Sequence, residues 1–84
     1  MLYKDIFSIR LKKLRKAAGE QQKDLAEAIQ MAQTQVSAIE NGKQGTSFDK
    51  LAAICIHYNV SADYLLGLVD EPRPLNDEKK EGTL

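Results

Sequence analysis

Residues 22–42 read QKDLAEAIQMAQTQVSAIENG, and the fold turns on this stretch. Two short apolar-periodic segments meet there. In the first, Leu25, Ala26 and Ile29 fall at i, i+1 and i+4, on one helical face. In the second, Val36, Ile39 and Glu40 fall at i, i+3 and i+4, while Gln33, Thr34, Gln35, Ser37 and Ala38 look outward. The joint is Gln30, Met31 and Ala32, with Met31 turned inward. Helices joined by about three residues cross steeply rather than lie side by side. The second helix therefore has a buried stripe and an opposite face of small polar side chains. Such a face is poor at burying apolar surface and suited to hydrogen-bonding base edges.

Outward from this stretch the same periodicity predicts three more helices. Asp5 is a good N-cap for a first helix ending at Ala18, with Phe7, Leu11, Leu14 and Ala18 as its core stripe and Gly19 as its stop. Ile6 and Ile9 lie off that stripe, as surface apolars or as part of an oligomer contact. Helix two spans residues 22–29 behind a poor cap, Gln21. Helix three runs from Gln33 to Glu40 or Asn41, and Asn41-Gly42 ends it. Ser47 caps a fourth helix, with Leu51, Ile54, Cys55 and Tyr58 inside and Asn59 at its close. Ser61 caps a short fifth helix carrying Tyr64 and Leu65, stopped by Gly67. Residues 70–84, DEPRPLNDEKKEGTL, change composition to two prolines, mixed charges and few large apolar groups. That stretch buries too little to offset ordering entropy, so residues 1–69 are expected to form one all-α domain with residues 70–84 as a flexible tail.

Composition narrows the function. The 84 residues suffice for one small core. No apolar run approaches the ~20 residues of a membrane span. The single Cys55 cannot form an internal disulfide, which points to a reducing cytoplasm; it reads as a small core residue. One Cys and one His make zinc a poor expectation, and no cofactor is implied. His57 reads as a surface histidine. Net charge is zero, unlike a generic nucleic-acid binder. The charge is polarised, however: Lys4, Arg10, Lys12, Lys13, Arg15 and Lys16 crowd the first nineteen residues against Asp5 alone. A basic face and a merely solvated helix surface both fit.

The ordered runs RLKKLRKAAG, QKDLAEAIQMAQTQVSAIENGK and SFDKLAAICIHYNVSADYLLG resemble the phage-repressor type of helix-turn-helix domain, the Xre/Cro family, over about residues 6–68. That resemblance implies a compact five-helix, lambda-repressor-like fold whose second and third helices, residues 22–41, read DNA, in a homodimer on a two-fold operator. It implies base reading by Gln33, Thr34, Ser37 and Ala38. Gln suits the N6/N7 edge of adenine, and the Thr34 methyl suits a thymine methyl. It assigns Gln22, Gln35, Asn41, Lys43 and Gln44 to phosphates, Gln35 being expected to reach the DNA backbone or solvent rather than a base. Backbone N–H groups at the start of helix two would favour a phosphate as well. It pairs Arg15 with Glu40 as a lock between helices one and three, the alternative for Arg15 being a phosphate. Three positions at the turn and its caps depart from the pattern, and a fourth on the reading face. Gln30 stands where Gly is common, at about 1 kcal/mol if the backbone is left-handed. Ala32 and Gln21 stand where Ser or Thr would cap. Ala38 offers only a methyl where relatives often carry a long polar side chain. These departures bear on the stiffness of the turn rather than on the fold.

The first functional expectation is a small transcriptional regulator, a repressor by its resemblance, binding double-stranded DNA with residues 33–40 in the major groove. The alternative is a protein-interaction module, an antitoxin or anti-repressor partner, whose tail folds onto another protein. A dimer patch could form from Ala52, Ala53, Ile56, Leu66 and Leu68. An enzyme is the poorest expectation, since no nucleophile–base pair, metal set or phosphate-cradling glycine loop is visible.

Overall fold

Among the described residues five helices form, because each apolar stripe has another to bury against. They are α1 (Tyr3–Ala17), α2 (Gln22–Ala28), α3 (Gln33–Glu40), α4 (Phe48–Tyr58) and α5 (Ala62–Leu65). The computed structural model describes residues 2–75, and among these there is no strand. Phe7 and Leu11 of α1, Leu25 and Ala26 of α2, Val36 and Ile39 of α3, and Ile54 and Cys55 of α4 meet Tyr64 and Leu65 of α5 in one core. Ile29 and Val60 complete it from the connections, and Met31 packs against it. Burial pushes the Cys55 thiol pKa up, which suits a packing role.

All five helices end in the same way. The N–H just past the left-handed residue at each helix end closes a six-residue loop, and the left-handed residue's own N–H closes a smaller one. Glu20 bonds Arg15 O, Met31 bonds Ala26 O, Lys43 bonds Ala38 O, Val60 bonds Cys55 O and Leu68 bonds Asp63 O. Each such motif needs one left-handed residue. Gly19, Gln30, Gly42, Asn59 and Gly67 supply it, with φ between 52° and 82°. Gln30 is thus the only member of this set that is neither glycine nor asparagine. Gly67 serves twice, because a methyl there would also lie 2.9 Å from Ile6 Cγ2. That contact explains Ile6, which is half-buried against the α5 end, whereas Ile9 remains exposed.

Several local expectations are corrected. Asp5 is not the N-cap of α1; the cap is Leu2, three residues earlier, with Asp5 and Ile6 N–H groups on Leu2 O, so Asp5 lies in the first turn where it favours the dipole. Ala18 lies beyond the helix end and is exposed rather than core. Ser47 caps α4, its Oγ accepting Lys50 N–H at 3.2 Å. Ser61 does not cap α5 with its side chain; its N–H instead donates to Arg73 O at 2.8 Å. That bond belongs to a larger difference. Residues 70–75, expected to begin a flexible tail, lie on the body: Leu75 packs against the core and its N–H reaches Asn59 Oδ1 at 3.1 Å. The remainder of the expected tail, residues 76–84, lies outside the described residues.

Arg10 and Ser8 tie the outer elements inward. The Arg10 guanidinium donates to Tyr64 O and Val69 O and lies 4.4 Å from the Tyr64 ring centroid. Ser8 is buried and its hydroxyl serves Ile39 O at the end of α3. The basic N-terminal segment is therefore less of a patch than its sequence suggests, because Arg10 and Arg15 are both spent inside.

Candidate nucleic-acid interface

α3 is held from behind and from both ends, and its front is free. Val36 and Ile39 are each 1% exposed and fix its inner face. Ala32, its N-cap, has no side-chain acceptor. The third residue of the helix compensates, since Gln35 Oε1 takes the Ala32 N–H at 3.2 Å. α2 uses the same device, with Asp24 Oδ2 taking the Gln21 N–H at 2.8 Å. Each is the reciprocal half of a capping box, working backward where the cap residue itself contributes little.

At the far end of α3 is a buried charge cluster. Arg15 Nε and Glu40 Oε2 are 2.6 Å apart, and a second bond from the guanidinium to Oε1 measures 3.0 Å. The pair is a bidentate fork with side chains 10% and 1% exposed. The hydrogen bond to Glu40 raises the Arg15 pKa further, against the opposing effect of burial. Arg15 also donates to Glu20 O at 2.7 Å. Gln22 Nε2 donates to Glu40 Oε1 at 3.1 Å, so Gln22 bridges the start of α2 to the end of α3. This accounts in structural terms for a glutamine at that position and leaves its carbonyl oxygen open.

The outward residues form a continuous surface. Gln33 and Thr34 are exposed on the first turn of α3, and among the described residues neither side chain has a hydrogen-bond partner within the chain. Ser37 and Ala38 are half-exposed one turn later. Asn41 Nδ2 donates to Ser37 Oγ at 3.4 Å, which links the helix face to the loop. Lys43 and Gln44 follow, both exposed. Unpartnered amides and hydroxyls on a rigid helix, flanked by a lysine, make a surface that can donate to and accept from a polar ligand edge while attracting an anionic backbone.

Two contributors have no local sequence signal. Lys50 in the first turn of α4 sends its ammonium to Ile29 O at 2.7 Å and Gln30 O at 3.0 Å, both in the α2–α3 connection. Glu20, next to the end of α1, faces His57 Nε2 at 2.7 Å and accepts the Tyr58 hydroxyl at 2.7 Å. His57 is exposed, as a surface histidine should be, but it is paired. Its partner acid stands thirty-seven residues away in sequence.

That last cluster predicts a pH effect. Burial first, and the hydrogen bond to the Glu20 carboxylate second, hold the Tyr58 phenol well above its ordinary pKa. The folded state keeps this proton when the unfolded chain has lost it. The contribution of Tyr58 should therefore be undiminished below about pH 10, the ordinary phenol value, and be lost as pH rises past it. Thermal denaturation between neutral and strongly alkaline pH should show this loss in the wild type, and Tyr58→Phe should flatten it. Parallel curves for the two proteins would contradict the assignment.

Residues 11–65 match the HTH_3 helix-turn-helix family, well over half of the chain. The chain belongs to this family. Among relatives, it is 39% identical over 70 residues to the uncharacterized HTH-type transcriptional regulator YobD of Bacillus subtilis (strain 168), covering 83% of this chain and 62% of that protein. It is 40% identical over 58 residues to the HTH-type transcriptional regulator ImmR of the same organism, covering 69% of this chain and 46% of the other. The chain thus spans about half to three-fifths of the length of these relatives. Among solved structures, the clp gene regulator ClgR from Corynebacterium glutamicum superposes with TM-score 0.73 at 26% identity, over 79% of this chain and 70% of that one. C.Esp1396I bound to a 25 base pair operator site gives TM-score 0.67 at 25% identity, over 81% and 90%.

Proposed function

We propose that this chain is the DNA-reading part of a transcriptional regulator, with α3 as the helix that enters the major groove. The observation that carries the reading is the front of α3. Gln33 and Thr34 are exposed without intramolecular partners on a helix whose other face and both ends are fixed. Gln33, Thr34, Ser37 and Ala38 supply the contacts to base edges. Gln22, Asn41, Lys43 and Gln44 supply those to phosphates, with the free amide nitrogen of Gln35 beside them. The related C.Esp1396I was solved on a 25 base pair operator, and an operator for this protein would be a duplex of the same kind. Of these phosphate-facing residues only Lys43 is charged, so the salt dependence should be shallow.

The active form is a two-fold dimer, with two α3 helices in successive major grooves ~34 Å apart. The surface that suits self-association is a stripe on α4. Phe48, Ala52 and Ile56 recur at i, i+4 and i+8, and Phe48 and Ile56 are 89% and 71% exposed. Phe48 itself lines an apolar slot with Tyr3, Phe7, Leu51 and Leu66, so the stripe continues into a patch able to meet its own copy across a two-fold axis. Ala53, by contrast, turns inward against the core. Ala52→Glu adds a charge at an exposed helical position, where folding should be unaffected. It should convert a dimer in sedimentation to a monomer; an unchanged sedimentation profile would move the interface elsewhere.

The test of the whole reading is selection of bound sites from random duplex DNA at two salt concentrations. A short motif repeated with two-fold symmetry is the expected result. Association that is salt-sensitive and blind to sequence would overturn it.

A further inference from the structure

We infer that Lys50 is a positioning residue for base recognition: its ammonium, bonded to Ile29 O and Gln30 O, clamps the α2–α3 turn and so sets where Gln33 is presented. This rests on the DNA-reading role proposed above. The turn is the least well-made joint in the molecule by local criteria. Gln30 holds φ 55° without being glycine or asparagine, and Ala32 gives α3 no side-chain cap. Left-handed geometry at a glutamine strains the backbone. The strain falls three residues before Gln33 in sequence.

Lys50 offsets this in two ways. Its two donor bonds, 2.7 Å and 3.0 Å, satisfy carbonyls that the end of α2 leaves without helical partners. A cation at a helix C-terminus also complements the dipole there. Since Lys50 belongs to the first turn of α4, whose inner face is bound into the core through Leu51, Ile54 and Cys55, the clamp ties the turn to a helix outside the reading unit. Two of the three ammonium hydrogens point at protein carbonyls, so the group is already engaged where a phosphate-binding lysine would be free.

The distinction has a measurable form. Base hydrogen bonds are steep in distance and angle, whereas attraction to phosphates is not. Loosening the turn should therefore weaken recognition of a preferred sequence and spare sequence-blind attachment. Lys50→Met keeps the stem and removes the donors. Its affinity should be compared with wild type on a duplex selected from a random pool by the wild-type protein, and on the same duplex scrambled. The expected result is a roughly three- to tenfold loss on the selected duplex, the size typical of a lost charge-assisted contact at a helix end. The scrambled duplex and the salt slope should be unchanged, and Lys50→Arg should recover most of the loss. Parallel losses on both duplexes with the slope reduced by about one would make Lys50 a phosphate contact instead. No loss on either duplex would remove it from recognition altogether. A second arm needs no DNA. Amide exchange at Gln30 and Met31 should quicken in Lys50→Met while the amides of Ile54 and Cys55 keep their protection. Equal protection at all four would refute the clamp even if no preferred duplex were found, and a failed selection with a loosened turn would count against the DNA reading alone.

Discussion

Glu40→Ala is expected to cost about 3–5 kcal/mol of folding stability, the penalty for leaving one partner of a buried ion pair alone. The value belongs at the upper end of electrostatic effects because this pair is dry and bidentate. Glu40 has a side chain 1% exposed, and two guanidinium nitrogens of Arg15 reach its two oxygens. Surface pairs, by comparison, are worth about 0–1 kcal/mol. In the variant Arg15 would keep only its bond to Glu20 O, and Gln22 would lose its acceptor. For a domain of this size the loss corresponds to a fall of the order of 15–30 °C in Tm. Replacing both partners at once, as Arg15→Met with Glu40→Leu, should recover much of the loss, since no charge is then stranded. Thermal denaturation of the two single variants and the double gives the coupling directly. Additive losses would mean that the pair is wet in solution and contributes nothing to holding α1 against α3.

The split between what is legible in the chain and what is not follows from periodicity. Leu25, Ile29, Val36 and Ile39 announce themselves because a helix repeats on a short local scale, and burial at those positions follows from spacing. The outward front of α3 is the complement of that stripe, so its residues were equally visible. Arg15 with Glu40 was legible only through likeness to a family, as no local rule joins residues twenty-five apart. Lys50, Ser8 and Arg10 have no such aid. Each sends a polar tip to a main-chain carbonyl on another element, and carbonyls carry no residue identity for a sequence pattern to match. The caps of α2 and α3 were missed for a related reason. Gln21 and Ala32 are poor caps in themselves, and the groups that compensate, Asp24 and Gln35, stand three residues downstream. The misplaced start of α1 shows the limit of the N-cap rule: Asp5 favours a helix start in the first turn as well as at the cap, and backbone bonds to Leu2 decide between the two.

Gln33→Ala carries the largest expected effect on binding. Gln33 is the first residue of α3 and is exposed. A bidentate amide on one base pair contributes about 1–3 kcal/mol of discrimination. A two-fold operator contains the contact twice, so the loss on the intact site should be about double that on a half-site. The variant should keep its fold, because the alanine is a better helix former and no intramolecular bond among the described residues is given up. It should also keep its affinity for scrambled duplex and its salt slope, since the amide is uncharged. The check is a set of duplexes bearing every base substitution in the selected motif, bound by wild type and variant in parallel. One position per half-site should lose its preference while the rest of the profile stands. Flattening across the whole profile would mean that Gln33 supports the helix rather than reads from it. An unaltered profile would shift base reading to Thr34 and Ser37, where hydroxyls hydrogen-bond with less selectivity than an amide fork.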